Sequence, residues 1–430
     1  MSLDRTMPPL LRPLEAFEIL RPERLEMKNG MQLNVIRAGS QEVVRLDLLI
    51  GGGQWHQTQA LQALFTNRML REGTPTMTSA QIAEKLDYYG AWLDLSSSVN
   101  CGFVTLYSLN KYFPRTLAII ADMLMNPSFP EKELEVVLET NRQQFLVNSS
   151  RVEVIARKHF NRSLFGEEHP FGRFAVESDY GRITPEVLRE FYRKHYHSGN
   201  CTVYVSGKVT PEIIRCIEEH LGNASWGEIK EVQPLELIEP RQTIEKHVFV
   251  EKADALQSSL KMGCFMMDRV HPDFLKARVM VTLFGGYFGS RLMSNIREDK
   301  GYTYGIGAGI VNCPGSGVLA ITTEADNQYI DSIITEVYRE MDKMCNDLAP
   351  QEELEMVRNY MLGDFCRSYE GPFSLSEAWI YTKTADLDDD FFVRQVDSIR
   401  SITAEEIRTL AQRYLCKENL IEVVAGKKMD

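Results

Sequence analysis

The chain repeats itself at a spacing of about 219 residues, and this repeat constrains the fold more than any other feature. Residues 183–208 read ITPEVLREFYRKHYHSGNCTVYVSGK, and residues 402–427 read ITAEEIRTLAQRYLCKENLIEVVAGK, so the offset is 402 − 183 = 219. A second pair, FPEKELEVV at 129–137 and APQEELEMV at 349–357, has an offset of 220. Agreement in spacing indicates a duplication of one unit of roughly 200 residues, an ordinary domain size.

Local sequence chemistry predicts the same elements in both copies. Thr184 and Thr403 are each placed to cap the start of a helix, and Glu406 completes a capping box in the second copy. A β-rich run follows each helix, at 202–205 and at 421–424. Strands grouped with helices on one side predict an α+β fold, in which two tandem domains each pack an antiparallel-rich sheet against helices.

The repeat divides the chain into four predicted segments. Residues 1–24 form an N-terminal extension, and 25–222 form the first domain. Residues 223–242 are polar, contain Pro234 and Pro240, and are predicted to be a linker. Residues 243–430 form the second domain.

Composition excludes several classes of partner. With 48 basic and 60 acidic residues the net charge is 48 − 60 = −12, which disfavours nucleic acids and anionic membranes. Eight scattered cysteines without a C-x-x-C pair predict reduced thiols and a cytoplasmic protein, with a removed signal peptide as the open alternative. No apolar run reaches the roughly 18–20 residues of a membrane span.

Residues 283–310, LFGGYFGSRLMSNIREDKGYTYGIGAGI, carry the most specific motif of the chain. This stretch resembles the second half of the pitrilysin, insulinase and mitochondrial-processing-peptidase superfamily, the inverzincins. The resemblance implies tandem α+β domains that form a clam around a peptide. The matching residues are Gly285-Gly286, Ser290-Arg291-Leu292, Arg297 and, seven positions later, Tyr304.

The first half departs from that pattern. Active members carry H-x-x-E-H shortly before Gly-Thr, and a later Glu is the third zinc ligand. Anchored on Gly73-Thr74, these positions hold Leu64, Asn67, Arg68 and, for the third ligand, Thr140. An asparagine cannot act as the general base, and an arginine places a permanent positive charge where the cation would sit. The resemblance therefore implies a degenerate site and no zinc or other cofactor bound by this chain.

A count that needs no alignment supports this interpretation. A zinc-peptidase helix motif requires two histidines one turn apart. The eight histidines stand at positions 56, 159, 169, 195, 197, 220, 247 and 271, and no two are four residues apart.

The resemblance implies that Arg297 and Tyr304 stabilise the substrate carbonyl, because a guanidinium and a phenol are good donors to a developing oxyanion. The alternative is structural: a helix-end arginine paired with an acid, and a packed tyrosine. We expect a non-zinc subunit that binds peptide and supports a zinc-bearing homologue, or a homodimer, in metal-dependent peptide hydrolysis. The rival expectation is a non-catalytic peptide-binding or scaffold protein of the same fold.

Two further expectations concern glycines. The run YGIGAG that begins at Tyr304 reads as a strand whose small residues would let a peptide backbone add at its edge. Close packing against a neighbouring helix is the equally weighted alternative. Gly285-Gly286 is predicted to form a strand-to-helix turn.

Overall fold

A computed structural model of the chain describes residues 6, 19–229 and 236–428. Most of the predicted extension 1–24 and residues 230–235 of the predicted linker lie outside these described residues. The described strands form two sheets. The first sheet contains β1 Glu23–Glu26, β2 Gln32–Arg37, β3 Val43–Gly51, β4 Trp92–Ser97, β5 Cys101–Leu109 and β6 Cys201–Gly207. The second contains β7 His247–Glu251, β8 Gln257–Met266, β9 Thr303–Cys313, β10 Ser316–Asp326 and β11 Ile421–Gly426.

The two sheets share one topology. The strand order is β1-β2-β6-β3-β5-β4 in the first sheet and β7-β11-β8-β10-β9 in the second. Each sheet has a single parallel pair, β2 with β6 and β7 with β11, and its other neighbours are antiparallel. Apart from β1, each strand of one sheet therefore has a counterpart in the other. The predicted duplication and α+β class are confirmed.

The helices begin where the sequence predicts them. The Thr184 hydroxyl accepts a hydrogen bond from the Val187 N–H, and the Thr403 hydroxyl accepts one from the Glu406 N–H. No helix in the described ranges combines the length and apolarity needed to cross a bilayer. The helices are α1 Gln62–Arg68, α2 Ser79–Tyr88, α3 Phe113–Met125, α4 Glu131–Ser149, α5 Val152–Phe165, α6 Pro185–His195, α7 Pro211–Ile217, α8 Phe274–Val281, α9 Ile330–Asn346, α10 Gln351–Ser368, α11 Pro372–Thr384, α12 Phe391–Ser401 and α13 Ala404–Tyr414.

Two segments of the second half are π-helical. Thr282–Gly286 continues α8 directly, and Met293–Asp299 forms a separate helical segment before β9. The prediction of a strand-to-helix turn at Gly285-Gly286 is therefore wrong, because a helix precedes these glycines. The apolar run before them has no polar alternation that would separate a buried helix from a buried strand.

Each sheet buries one face against helices of its own half. In the first half, Leu46 and Leu48 of β3 pack with Leu117 and Ile120 of α3. The second core combines strand residues such as Leu260, Leu319 and Ile321 with Val337 and Met341 of α9. Each such side chain, fully removed from water, contributes about 1.5–3 kcal/mol of transfer free energy.

One helix from each half covers the other half's sheet. Phe160 and Leu164 of α5 pack in one cluster with Ile421 and Val423 of β11. Reciprocally, α11 lies over β2, β3 and β6, where Trp379 packs with residues of those strands. The two helices begin 372 − 152 = 220 residues apart, so they are equivalent elements of the repeat. This exchange joins the halves through two apolar cores.

Candidate functional site

Arg297 and Tyr304 lie next to each other because a short turn joins the elements that carry them. Arg297 is in the helical segment Met293–Asp299, and Tyr304 is the second residue of β9. Gly301 ends the helix at φ 66°, a left-handed conformation that glycine adopts without a Cβ penalty. Its N–H donates a hydrogen bond to the Arg297 carbonyl oxygen at 3.0 Å.

The Arg297 guanidinium lies between two aromatic rings. Its Cζ is 4.7 Å from the Phe288 ring centroid and 5.8 Å from the Tyr304 ring centroid, within cation–π range. Tyr304 is 93% exposed and Phe288 is 61% exposed. Arg297 Nε also lies 3.3 Å from the Glu298 carboxylate, the acid pairing of the structural alternative. The Arg297 guanidinium thus lies beside the ring of a highly exposed tyrosine.

A buried network fixes the helical segment that carries Arg297. The Asn295 amide donates to Glu336 at 3.0 Å and to Glu340 at 2.6 Å, and both carboxylates lie on α9 with under 10% exposure. Lys300 Nζ is 3.1 Å from Glu336 and donates to Asn295 Oδ1 at 2.6 Å. Although burial alone would raise the pKa of Glu336, hydrogen bonds from Asn295 and Lys300 hold that pKa below its ordinary value.

Sequence reasoning missed this network. Its signal was present: Glu336 and Glu340 are one helical turn apart on the same side of α9 as the buried Ile333, Val337 and Met341. Two acids on an apolar face require partners, because an unpaired buried charge is costly.

The motif arginine Arg291 has a structural contact. Its guanidinium donates two hydrogen bonds of 2.8 Å to the two oxygens of Glu353 on α10. Both side chains are mostly buried, with 13% and 21% exposure. Bidentate pairing of this kind fixes orientation. Arg291 therefore joins the start of the helical segment that carries Arg297 to α10. Its partner Glu353 belongs to the segment at 349–357 that repeats residues 129–137.

Strand β9 has one packed face and a position at the end of its sheet. It follows β10 as the last strand in the order, and β10 is its partner among the described strands. A Cβ built on Gly285 would lie 2.6 Å from the Ala308 Cβ, so the helix approaches β9 too closely for a side chain. A Cβ on Gly305 or Gly309 would meet nothing within 4 Å. Within the run that begins at Tyr304, the close packing on a helix occurs at Ala308, while Gly305 and Gly309 leave open space.

The degenerate positions of the first half lie on α1 and α4. Leu64 is half-buried, and Asn67 is buried with its amide donating to the Phe103 carbonyl and the Tyr196 hydroxyl, each at 3.2 Å. Arg68 donates a hydrogen bond to the side-chain oxygen of Asn141. The structure therefore brings α1 and α4 together at this site.

Thr140, the predicted third position, makes no side-chain hydrogen bond to a described residue of α1. Its side chain is exposed, and its hydroxyl donates to the Val136 carbonyl at 2.9 Å within the same helix. The next residue, Asn141, contacts Arg68 instead. Sequence reasoning did not single out Asn141. The sequence indicated this residue only through its place directly after Thr140. One residue corresponds to about a quarter-turn around the helix, so the two side chains point in different directions.

These residues do not fit a zinc ion. Zinc requires imidazole, thiolate or carboxylate donors, whereas the positions hold an aliphatic, an amide, a guanidinium and a hydroxyl side chain. The Arg68 cation would also repel a divalent ion. Within the described ranges, no three His, Cys, Asp or Glu side chains gather closely enough to hold a metal.

Each half of the chain matches a known protein-family model. Residues 35–169 match the model described as Insulinase (Peptidase family M16), and residues 182–361 match Peptidase M16 inactive domain. The chain belongs to peptidase family M16. The first match contains the degenerate positions of this M16 chain, and the second contains Arg297 and Tyr304.

Some relatives of this M16 chain are named as zinc proteases and another is named as a non-peptidase. An "Uncharacterized zinc protease" of Rickettsia bellii is 25% identical over 345 residues, which cover 77% of this chain and 80% of that protein. A "Non-peptidase homolog YmxG" of Helicobacter pylori is 23% identical over 260 residues, covering 60% and 59%. The crystal structure of a peptidase M16 inactive domain from Pseudomonas fluorescens has a TM-score of 0.82 at 21% identity and covers 95% of this chain and 99% of its own. The structural likeness establishes the M16 fold.

Proposed function

We propose that this chain is a non-zinc-binding M16 subunit that binds peptide and supports a zinc-bearing homologous subunit in peptide hydrolysis. One observation carries the proposal: the Arg297 guanidinium and the Tyr304 ring lie side by side, and Tyr304 is 93% exposed. A tyrosine so exposed buries little apolar surface and adds little to stability. Its place beside a cation is what a carbonyl-binding pair requires.

The chemistry assigned to this pair is oxyanion stabilisation. Attack on a peptide bond moves negative charge onto the carbonyl oxygen, and donors already in place stabilise that charge without reorganisation. Arg297 supplies a permanent positive charge and Tyr304 a hydroxyl donor. The network of Asn295, Lys300 and Glu336 keeps the Arg297 helix in position.

The zinc ion is assigned to the partner subunit. A bound zinc ion would polarise the carbonyl and lower the pKa of an attacking water. Leu64 and Arg68 of this chain offer no ligand at the family's zinc positions. A second copy of this chain is the alternative partner. We also propose the cytoplasm as the compartment, supported by eight thiols that are free of disulfides.

A scaffold role is the second candidate, and one observation favours it. Arg297 already has two protein contacts, the Phe288 face and the Glu298 carboxylate. These contacts would suffice for a purely structural arginine. The name of the Helicobacter pylori relative, a non-peptidase homolog, agrees with that role.

Co-purification with a homologue from the same genome that carries H-x-x-E-H distinguishes the two candidates. We expect chelator-sensitive peptide cleavage by the pair and none by the isolated chain. Arg297→Gln or Tyr304→Phe should each lower kcat by about 10²–10³-fold, the usual effect of losing one oxyanion donor, while assembly is retained.

Two exposed residues outside the motif provide matched controls, Arg367→Gln and Tyr88→Phe. Neither should change kcat. Unchanged turnover in the Arg297 and Tyr304 variants would favour the scaffold role, and chelator-sensitive cleavage by the pure isolated chain would contradict the proposed division of labour.

A further inference from the structure

A cavity of about 390 Å³ opens beside Leu64, the first of the degenerate zinc positions. It lies between the start of α1, the α5 helix and the loop at residues 170–175. Arg157 reaches it from α5 and Arg173 from the loop, and Leu61, Phe171 and Phe174 supply apolar surface. The volume is within the range of small-ligand sites, at the low end.

The polar lining of this cavity is rich in donors. Among the described residues, its polar lining consists of two arginines, two glutamines and one asparagine, with no acidic residue. Both Arg157 and Arg173 are exposed, and neither has an ion pair with another described residue. The Gln57 side-chain oxygen accepts from the Ala63 N–H at 3.3 Å, which leaves the amide N–H groups of Gln57 available.

The charge in the cavity opposes that of the whole molecule. The chain carries a net charge of −12, yet the charged side chains that line this cavity within residues 19–229 and 236–428 are both positive. Positive charge continues along α5 with Lys158 and Arg162. Burial lowers the pKa of Lys158, and the positive charges of Arg157 and Arg162 lower it further. A cavity with these donors and two arginines complements an anion.

We infer that this cavity binds a carboxylate of the peptide, either its C-terminal carboxylate or an aspartate or glutamate side chain. The inference rests on the proposed function and names its substrate class. Arg157 and Arg173 would supply fixed positive charge beside the positions where active relatives hold a zinc ion. Leu64, Phe171 and Phe174 would contact an apolar neighbour of that carboxylate.

Peptide binding to the isolated full chain tests the inference, with fluorescence anisotropy as the readout. Four labelled peptides share one apolar sequence and differ in two features: a C-terminal acid or amide, and an internal Glu or Gln. We expect the carboxylate-bearing peptides to bind at least about tenfold tighter than the neutral one, because a hydrogen bond to a charged group contributes at least that much. The substitution that weakens binding, acid to amide or Glu to Gln, identifies which carboxylate is bound.

Variants localise the effect. Arg157→Gln and Arg173→Gln should each remove most of the preference for the carboxylate while leaving the neutral peptide unaffected, and the lysine variants should retain part of it. Arg193→Gln is the matched control, because Arg193 is exposed and does not line the cavity. Thermal unfolding of each variant verifies that it is folded.

Equal affinity for all four peptides, or an unchanged preference in both arginine variants, would overturn the inference. Turnover of the neutral peptide by the pair with the zinc-bearing homologue is measured in parallel. If that turnover persists and depends on Arg297, the proposed function stands while the carboxylate site fails. If no peptide binds and the pair does not cleave, both fail.

Discussion

The Arg68 guanidinium donates a hydrogen bond to the side-chain oxygen of Asn141, and this contact joins α1 to α4. The sequence resemblance predicts the zinc-ligand positions of active members on these same two helices. Here the Arg68 guanidinium carries the positive charge at this position, and the neutral side-chain amide of Asn141 is its partner. A charge-assisted hydrogen bond therefore joins the two helices at the positions that the resemblance assigns to the metal ligands.

A double-mutant cycle measures that contact. Arg68→Met and Asn141→Ala should each lower the free energy of unfolding, and the double variant should lose less than their sum. The coupling should be about 1–2 kcal/mol, as expected for a hydrogen bond with one charged partner. Thermal or urea unfolding provides the measurement. Additive losses would show that the two side chains do not stabilise each other.

The glycines around β9 predict opposite effects of one added methyl group. Gly285→Ala should destabilise the protein by about 1–3 kcal/mol, because its Cβ would lie 2.6 Å from the Ala308 Cβ and 2.9 Å from the Ala308 backbone nitrogen. Gly309→Ala is the matched control. It meets nothing within 4 Å and should raise stability by about 0.5–1 kcal/mol through the lower entropy of its unfolded chain. Equal melting temperatures for the two variants would contradict the close helix–strand approach.

The acidic network beneath Arg297 predicts a pH-dependent stability. The pKa of Glu336 is below its ordinary value of 4.5 in the folded protein, so the unfolded chain takes up this proton at higher pH than the folded one. Its contribution is therefore present at neutral pH and is lost progressively as the pH falls from about 4.5 through the lower pKa of the folded protein. Glu336→Gln should lower the melting temperature clearly at pH 7 and much less at pH 3.5.

Glu405→Gln serves as the control for this measurement, because Glu405 is exposed on α13. It should change the melting temperature little at either pH. A Glu336→Gln effect that is as large at pH 3.5 as at pH 7 would show that the side chain stabilises the fold through shape rather than charge.

The buried ion pair of Arg45 and Asp47 on β3 predicts a large loss of stability when it is broken. Asp47 on β3 is 1% exposed and accepts hydrogen bonds from Arg45, Thr105 and Ser376 of α11. Asp47→Ala should cost about 3–5 kcal/mol, because it leaves the buried Arg45 guanidinium without its buried counter-charge. Glu377→Ala removes the exposed partner of the same arginine and should cost under about 1 kcal/mol. Denaturant unfolding that ranks the two variants in the reverse order would contradict this assignment.

Much of this protein was determined by its sequence alone. The 219-residue repeat predicted two equivalent sheets, and Thr184 and Thr403 predicted helix starts, because capping and periodicity depend on neighbours within a few residues. The prediction that Leu64 and Arg68 occupy zinc-ligand positions also came from residue types alone. The place of Tyr304 at the start of a strand followed from local composition.

Only the tertiary structure decided which side chains meet across the chain. It placed α5 on the second sheet and α11 on the first, and it brought Asn141 rather than Thr140 to Arg68. It also gathered Arg157 and Arg173 at the Leu64 cavity. These contacts depend on how rigid elements pack and on the direction of each side chain around its helix, and a local sequence pattern specifies neither.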